Sequence, residues 1–175
     1  MLLGGEGSLR CGEIMGLRWC DVDFDRHRIC AAQSIWRGHV TATKGGDLRH
    51  VKMTVRLLIV LRAHRHLRSP YVLCSADGEH LTQHNVQNLV NAAAKEAGIK
   101  NGVHILRHSF CSHLSMRGAP PAFIQQLTGH KNVSTTQMYM HLSPSASDIA
   151  IQLLDERVAA KRGDILETGD AQKAR

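Results

Sequence analysis

The sequence predicts a mainly α-helical domain with one small three-stranded antiparallel sheet. Three observations carry that prediction. Apolar residues recur at helical spacing through most of the chain, in segments that end at recognisable caps. Three short runs rich in Val, Ile, Thr and Ala lie together between residues 28 and 53. The chain has 175 residues, 43% of them hydrophobic, enough for one domain with a sizeable core.

In chain order, Cys11 to Trp19 reads as a helix. Ile14, Met15 and Leu17 are its apolar residues, acidic Glu13 lies near its start, and Arg10 stands at or near its N-terminal end. Residues 28–34, 40–44 and 49–53 read as the strands, and Gly45-Gly46-Asp47 between the second and third is a hairpin signal. Residues 54–67 carry Val55, Leu58, Ile59 and Arg62 at helical spacing. Thr82 suits the N-cap of a helix over 83–97, with Gly98 as its stop. Residues 103–117 place Val103, Leu106, Phe110 and Leu114 on one face and end at Gly118. Pro120-Pro121 starts another helix, because proline is tolerated in a first turn. Ser134 suits the cap of a short helix reaching Tyr139. Residues 146–161 hold Ile149, Leu153, Leu154 and Val158 on one stripe, a last amphipathic helix. Residues 1–162 read as one domain and 163–175 as a polar, loose tail.

Composition narrows the partners. Lys and Arg outnumber Asp and Glu by 22 to 15, a net charge of +7, and twelve histidines add positive charge below neutral pH. Such a surplus points to a polyanion, DNA or RNA before an anionic membrane. No apolar run approaches the roughly 20 residues that span a bilayer, and the N-terminus shows no secretory signal. Five scattered cysteines, none in a Cys-x-x-Cys pair, read as reduced thiols of a cytoplasmic protein.

Four segments carry chemistry: Leu9-Arg10-Cys11-Gly12-Glu13, Thr43-Lys44-Gly45, His104-Ile105-Leu106-Arg107, and Gly129-His130 running on to Tyr139. Each alone has an ordinary meaning. His104 and Arg107 share a helix edge and can present two donors to an anion, yet an isolated His-x-x-Arg is usually a solvated edge. Glu13 can pair with Arg10 or merely favour a helix start. Lys44 can be an edge-strand charge, His130 a turn residue, and Tyr139 a half-buried side chain.

In this order the segments resemble the tyrosine site-specific recombinase (phage integrase) family. Its pattern is an Arg with Glu or Asp three residues later, a hairpin Lys, His-x-x-Arg, a Gly-His or Gly-Trp, and a Tyr nine residues beyond. Arg10, Glu13, Lys44, His104, Arg107, His130 and Tyr139 fill every position. Two departures are Ser8, where the family usually has Gly, and Lys52, where it often has Pro. The resemblance implies the family's catalytic-domain fold, begun late, with the helical DNA-clamping domain that normally precedes it absent.

The resemblance also implies a mechanism on double-stranded DNA that uses no metal, ATP or other cofactor. Tyr139 attacks the phosphorus in line, the 5′-hydroxyl leaves, and a 3′-phosphotyrosyl enzyme forms. A 5′-hydroxyl from a partner strand then reseals. Arg10 and Arg107 hold the non-bridging oxygens, with His104 and His130 adding hydrogen bonds. Lys44 protonates the leaving oxygen, His104 helps remove the tyrosine proton, and Glu13 orients its neighbours. Cationic surroundings are expected to favour ionised Tyr139. The last helix is expected to join a tetramer on DNA, the free chain being monomeric if that helix folds back. Three alternatives are a type IB topoisomerase-like nicking-closing enzyme, a non-catalytic DNA-binding remnant, and a metal site of His104, His108 and Cys111.

Overall fold

Thr54 and Thr82 begin two of the helices as their side chains require. In the computed structural model, which describes residues 1–42, 48–99, 102–143 and 151, Thr54 Oγ1 accepts the Leu57 backbone N–H at 3.1 Å. Thr82 Oγ1 accepts from the Asn85 backbone at 3.2 Å, while Asn85 Oδ1 takes the Thr82 backbone N–H at 3.0 Å, a capping box. The described helices are α1 (Leu2–Gly5), α2 (Cys11–Gly16), α3 (Val55–His64), α4 (Gln83–Glu96), α5 (Val103–Met116), α6 (Pro121–Thr128) and α7 (Val133–Gln137). Pro121 opens α6, and Gly129 ends it in the left-handed conformation at φ 64°. Short 3-10 turns lie at Trp19–Asp21 and Met140–Leu142.

Several boundaries differ from the sequence reading. The helix expected over 11–19 stops at Gly16, because Leu17 turns extended and Arg18 bridges Tyr71. In α3 the buried residues are Leu57, Leu58 and Leu61, while Val55 and Ile59 are exposed. The cap of α7 is Asn132 rather than Ser134, and the helix stops at Gln137, two residues short of Tyr139. The expected helix over 146–161 lies outside the described residues except for Ile151, and the 163–175 tail lies wholly outside them.

The small antiparallel sheet is present with a different membership. The run 28–34 breaks at Ala32 into β2 (Arg28–Ala31) and β3 (Gln33–Trp36). With β1 (Val22–Asp23) and β5 (Arg49–Lys52), β2 forms a three-stranded sheet in the order β1-β2-β5. Strand β3 pairs instead with β4 (His39–Ala42), Trp36 opposite His39. The two residues between them, Arg37 and Gly38, both have positive φ, 49° and 79°, as a tight primed turn requires. The hairpin expected at Gly45-Gly46-Asp47 lies outside the described residues.

Helix α2 packs flat against β3. A Cβ on Gly12 would stand 2.2 Å from Ser34 Oγ and 2.8 Å from the Ile35 carbonyl oxygen, so only glycine permits this approach. The main core gathers Leu9, Ile14 and Leu17 with Ile29, Val51, Leu57, Leu61 and Val72. A second cluster joins Met15 and Ile35 to Val86, Val90 and Val103, with Leu106 packed against it. A third holds Cys111, Ile124 and Tyr139, flanked by Phe110 and Leu114. The predicted apolar face of α5 therefore serves two clusters and frees its other edge. Among the described residues no helix is long and apolar enough to cross a membrane, and all five cysteines are free thiols.

Candidate active site

Arg10 is the N-cap of α2, and Glu13 lies one turn later with 4% of its surface exposed. A buried carboxylate must be paired. Glu13 Oε2 accepts the Arg10 backbone N–H at 2.8 Å, and Oε1 accepts Arg10 Nη1 at 2.8 Å. Arg49, the first residue of β5, donates Nη2 to Oε2 at 2.5 Å. Burial alone would raise the Glu13 pKa. The Arg49 cation, with the Arg10 backbone bond and charge, outweighs it and holds the carboxyl below its ordinary range.

The last carbonyls of α6 collect three guanidinium groups. Arg49 Nη1 donates to Leu127 O at 2.9 Å, Arg107 Nη2 to Thr128 O, and Arg10 Nη2 to Gly129 O at 2.9 Å. A helix C-terminus carries unpaired carbonyls and partial negative charge, so cations are stabilised there. Ser8 O accepts from Arg107 Nη1 and, at 3.3 Å, from Arg49 Nη2. Burial, reinforced by Arg10 and Arg49, lowers the Arg107 pKa to about 10, which leaves it charged at neutral pH.

The histidines divide. His104 is exposed in the first turn of α5, one turn before Arg107. With Arg10, Cys11, Gly12, Ser34 and Trp36 it lines a pocket of about 620 Å³. His130 follows Gly129, and its Nδ1 lies 3.0 Å from Thr136 Oγ1. Burial and the charges of Arg107 and Arg10 push its pKa down to about 4, so it stands neutral here. A Thr136 hydroxyl donating to Nδ1 places the ring proton on Nε2, as a donor.

Tyr139 is 8% exposed, and its hydroxyl is hydrogen-bonded to His108 Nδ1. The Ser115 hydroxyl fixes its backbone by donating to Tyr139 O at 2.6 Å. Burial and then the Cys111 thiol raise the tyrosine pKa, with Arg107 opposing. The expectation that the surroundings favour ionised Tyr139 is thus reversed in the DNA-free protein. The hydroxyl's partner is His108, one turn after the expected His104.

Six of the seven expected residues are described, and Lys44 lies outside the described residues. The structure brings Arg10, Glu13, Arg107 and His130 together around the end of α6, with His104 at the pocket and Tyr139 beside α5. Arg49 and His108 were not anticipated in these places. A buried tyrosine hydroxyl needs a partner, which was the available signal for His108. His108 is exposed while Cys111 is fully buried, and among the described residues no His, Cys, Asp and Glu group is placed to hold a metal ion.

The sequence pattern of the phage integrase family matches residues 1–146. This chain belongs to the phage integrase family. Tyrosine recombinase XerA of Thermococcus onnurineus is 35% identical over 145 residues, 79% of this chain and 48% of that protein. XerA of Pyrococcus furiosus is 32% identical over 149 residues, 82% of this chain and 49% of that protein. A crystal structure of XerA recombinase matches with a TM-score of 0.67 and 26% identity, over 89% of this chain and 56% of that one. The Tn1549 transposon integrase, in complex with a circular intermediate DNA, shares the fold with a TM-score of 0.72 at 19% identity, over 89% and 56% of the two chains. This phage integrase family chain spans about half the length of those XerA relatives.

Proposed function

We propose that this chain supplies the DNA-breaking and DNA-joining centre of a site-specific recombinase, with Tyr139 as nucleophile. The observation that carries the reading is the seating of Arg10 and Arg107 on consecutive carbonyls, Gly129 and Thr128, with His130 next in the chain. Two fixed guanidinium forks beside a neutral histidine donor suit the non-bridging oxygens of a phosphodiester. Such preorganised donors stabilise charge that builds in the transition state, each worth about 10²–10³ in rate. They do so without a metal ion or nucleotide.

The step runs on this chain's groups. Tyr139 gives its proton to His108 Nδ1, the atom its hydroxyl already meets. The phenolate oxygen bonds to phosphorus, and the bond to the 5′-oxygen breaks. Lys44 protonates that oxygen. A 5′-hydroxyl later attacks the phosphorus and gives its proton back to Lys44, while the Tyr139 oxygen leaves with the proton that His108 holds. His104 and His130 donate to the phosphate, and Glu13 holds Arg10. Residues 1–162 act as the catalytic domain on double-stranded DNA in the cytoplasm, and the segment 146–161 joins four protomers. A fold relative in complex with DNA supports the choice of partner.

The test is covalent capture on nicked duplexes with randomised flanks. The parent chain retains DNA through a denaturing gel. Tyr139→Phe gives no adduct yet binds DNA as the parent does, with about 1 kcal/mol lost from the missing His108 bond. An adduct in the variant would assign the nucleophile elsewhere.

A further inference from the structure

We propose that Arg49 is a positioning residue of this active site, keeping the Arg10 fork open toward phosphate by occupying one oxygen of Glu13. The proposal rests on the reading of Arg10 as a phosphate-holding group.

Arg49 is built into the site rather than laid over it. Its side chain is 12% exposed. Strand pairing sets its start, since Arg49 lies opposite Ala31 in the β2–β5 ladder. From there it reaches Glu13 Oε2 at 2.5 Å, Leu127 O at 2.9 Å and Ser8 O at 3.3 Å, so one side chain ties β5 to α2, to the end of α6 and to the chain before α2. Gly129 makes room for it, because a Cβ there would stand 2.6 Å from Arg49 Cδ.

The division of Glu13 decides the function. Oε1 holds Arg10 Nη1, while Oε2 is taken by the Arg10 backbone N–H and by Arg49. A carboxylate with both oxygens free grips a guanidinium through two parallel bonds. With Oε2 occupied, Glu13 takes one N–H from the Arg10 fork, and Gly129 O takes one more. Among the described residues the rest of the fork is left for a ligand. Charge follows the same logic. Arg10, Arg49 and Arg107 against Glu13 leave a net surplus of two positive charges beside the pocket. Without Arg49, Oε2 keeps the Arg10 backbone N–H but has a lone pair free to draw in a second N–H of the Arg10 fork.

The test is a double-mutant cycle in the full chain. Arg49→Gln, Glu13→Gln and the double variant are compared for adduct formation on the nicked pool and for thermal unfolding. If Arg49 acts through Glu13, Arg49→Gln slows adduct formation by about 10–100-fold in the parent and by less than about threefold in the Glu13→Gln background. Arg49→Lys keeps the charge but recovers little of the rate, because one ammonium nitrogen cannot stand where both Nη1 and Nη2 stand to meet Leu127 O and Glu13 Oε2. Equal losses in the two backgrounds overturn the proposal, as does a rate that recovers wherever thermal stability does. Titration of inorganic phosphate, read at the Arg10 side-chain N–H resonance, separates this proposal from the recombinase reading. If the parent forms no adduct but binds phosphate at Arg10, and Arg49→Gln weakens that binding, Arg49 stands and the activity reading falls. Phosphate binding at Arg10 that is unchanged in Arg49→Gln overturns the positioning role.

Discussion

Ser8 is fully buried at φ 51°, in backbone space that favours glycine, and its hydroxyl finds no hydrogen-bond partner among the described residues. Its carbonyl nevertheless receives both Arg107 and Arg49, so the strained conformation aims an acceptor at the arginine cluster. Ser8→Gly keeps that carbonyl and removes both the strain and the orphaned hydroxyl. We expect a gain of about 1 kcal/mol after the added flexibility of the unfolded chain is offset. That corresponds to a midpoint about 2–4 °C higher in a chain of this size, measured by thermal unfolding, with adduct formation retained. Ser8 was legible in the sequence as a departure from the family pattern, while its left-handed backbone was not. The meeting of Arg10, Glu13, Arg107 and His130 around the end of α6 was legible because their spacing is a motif. Arg49 was not, because its place depends on the β2–β5 register and on carbonyls of α6, 78 positions away for Leu127.

At the level of elements, the reading succeeded where a short stretch determines its own structure. Thr82 and Pro121 each start a helix through bonds or a fixed dihedral within one turn. It failed where a partner decides. Nothing local in residues 28–34 says that Ala32 must divide two strands that pair with different neighbours. Nor does the sequence reading pick out the turn at Arg37-Gly38 that joins β3 to β4. The α2–β3 contact offers a direct test. In Gly12→Ala the new Cβ meets the Ile35 carbonyl as well as Ser34 Oγ, and backbone cannot swing aside as a side chain can. Overpacking of this kind costs about 1–3 kcal/mol, and it moves β3 away from Arg10. Denaturant unfolding reads the first effect. Slower adduct formation in protein that remains folded reads the second, and an unchanged rate would mean that β3 does not help to shape the pocket.

Across the whole molecule, the surplus of +7 and the exposed His104 edge favour a polyanion over any small neutral ligand. Binding through phosphate contacts releases counterions. The logarithm of affinity should therefore fall linearly with the logarithm of salt concentration, at a slope near −0.9 per contact, with about 4–6 contacts for this chain. Fluorescence anisotropy over a salt series measures it, and tight binding insensitive to salt would indicate a surface that reads bases rather than phosphates. The architecture also fixes when the site can exist. Arg10, Arg49 and Arg107 are held by backbone that lies 119, 78 and 21 positions further along. A ribosome-bound chain that has not yet produced residues 127–129 has no shelf on which to lay its arginines, however well its earlier segments have folded. The proposed DNA-cutting centre is thereby withheld until synthesis has passed the end of α6, close to Tyr139, and termination before residue 127 yields a fragment that lacks the carbonyls on which the arginines rest.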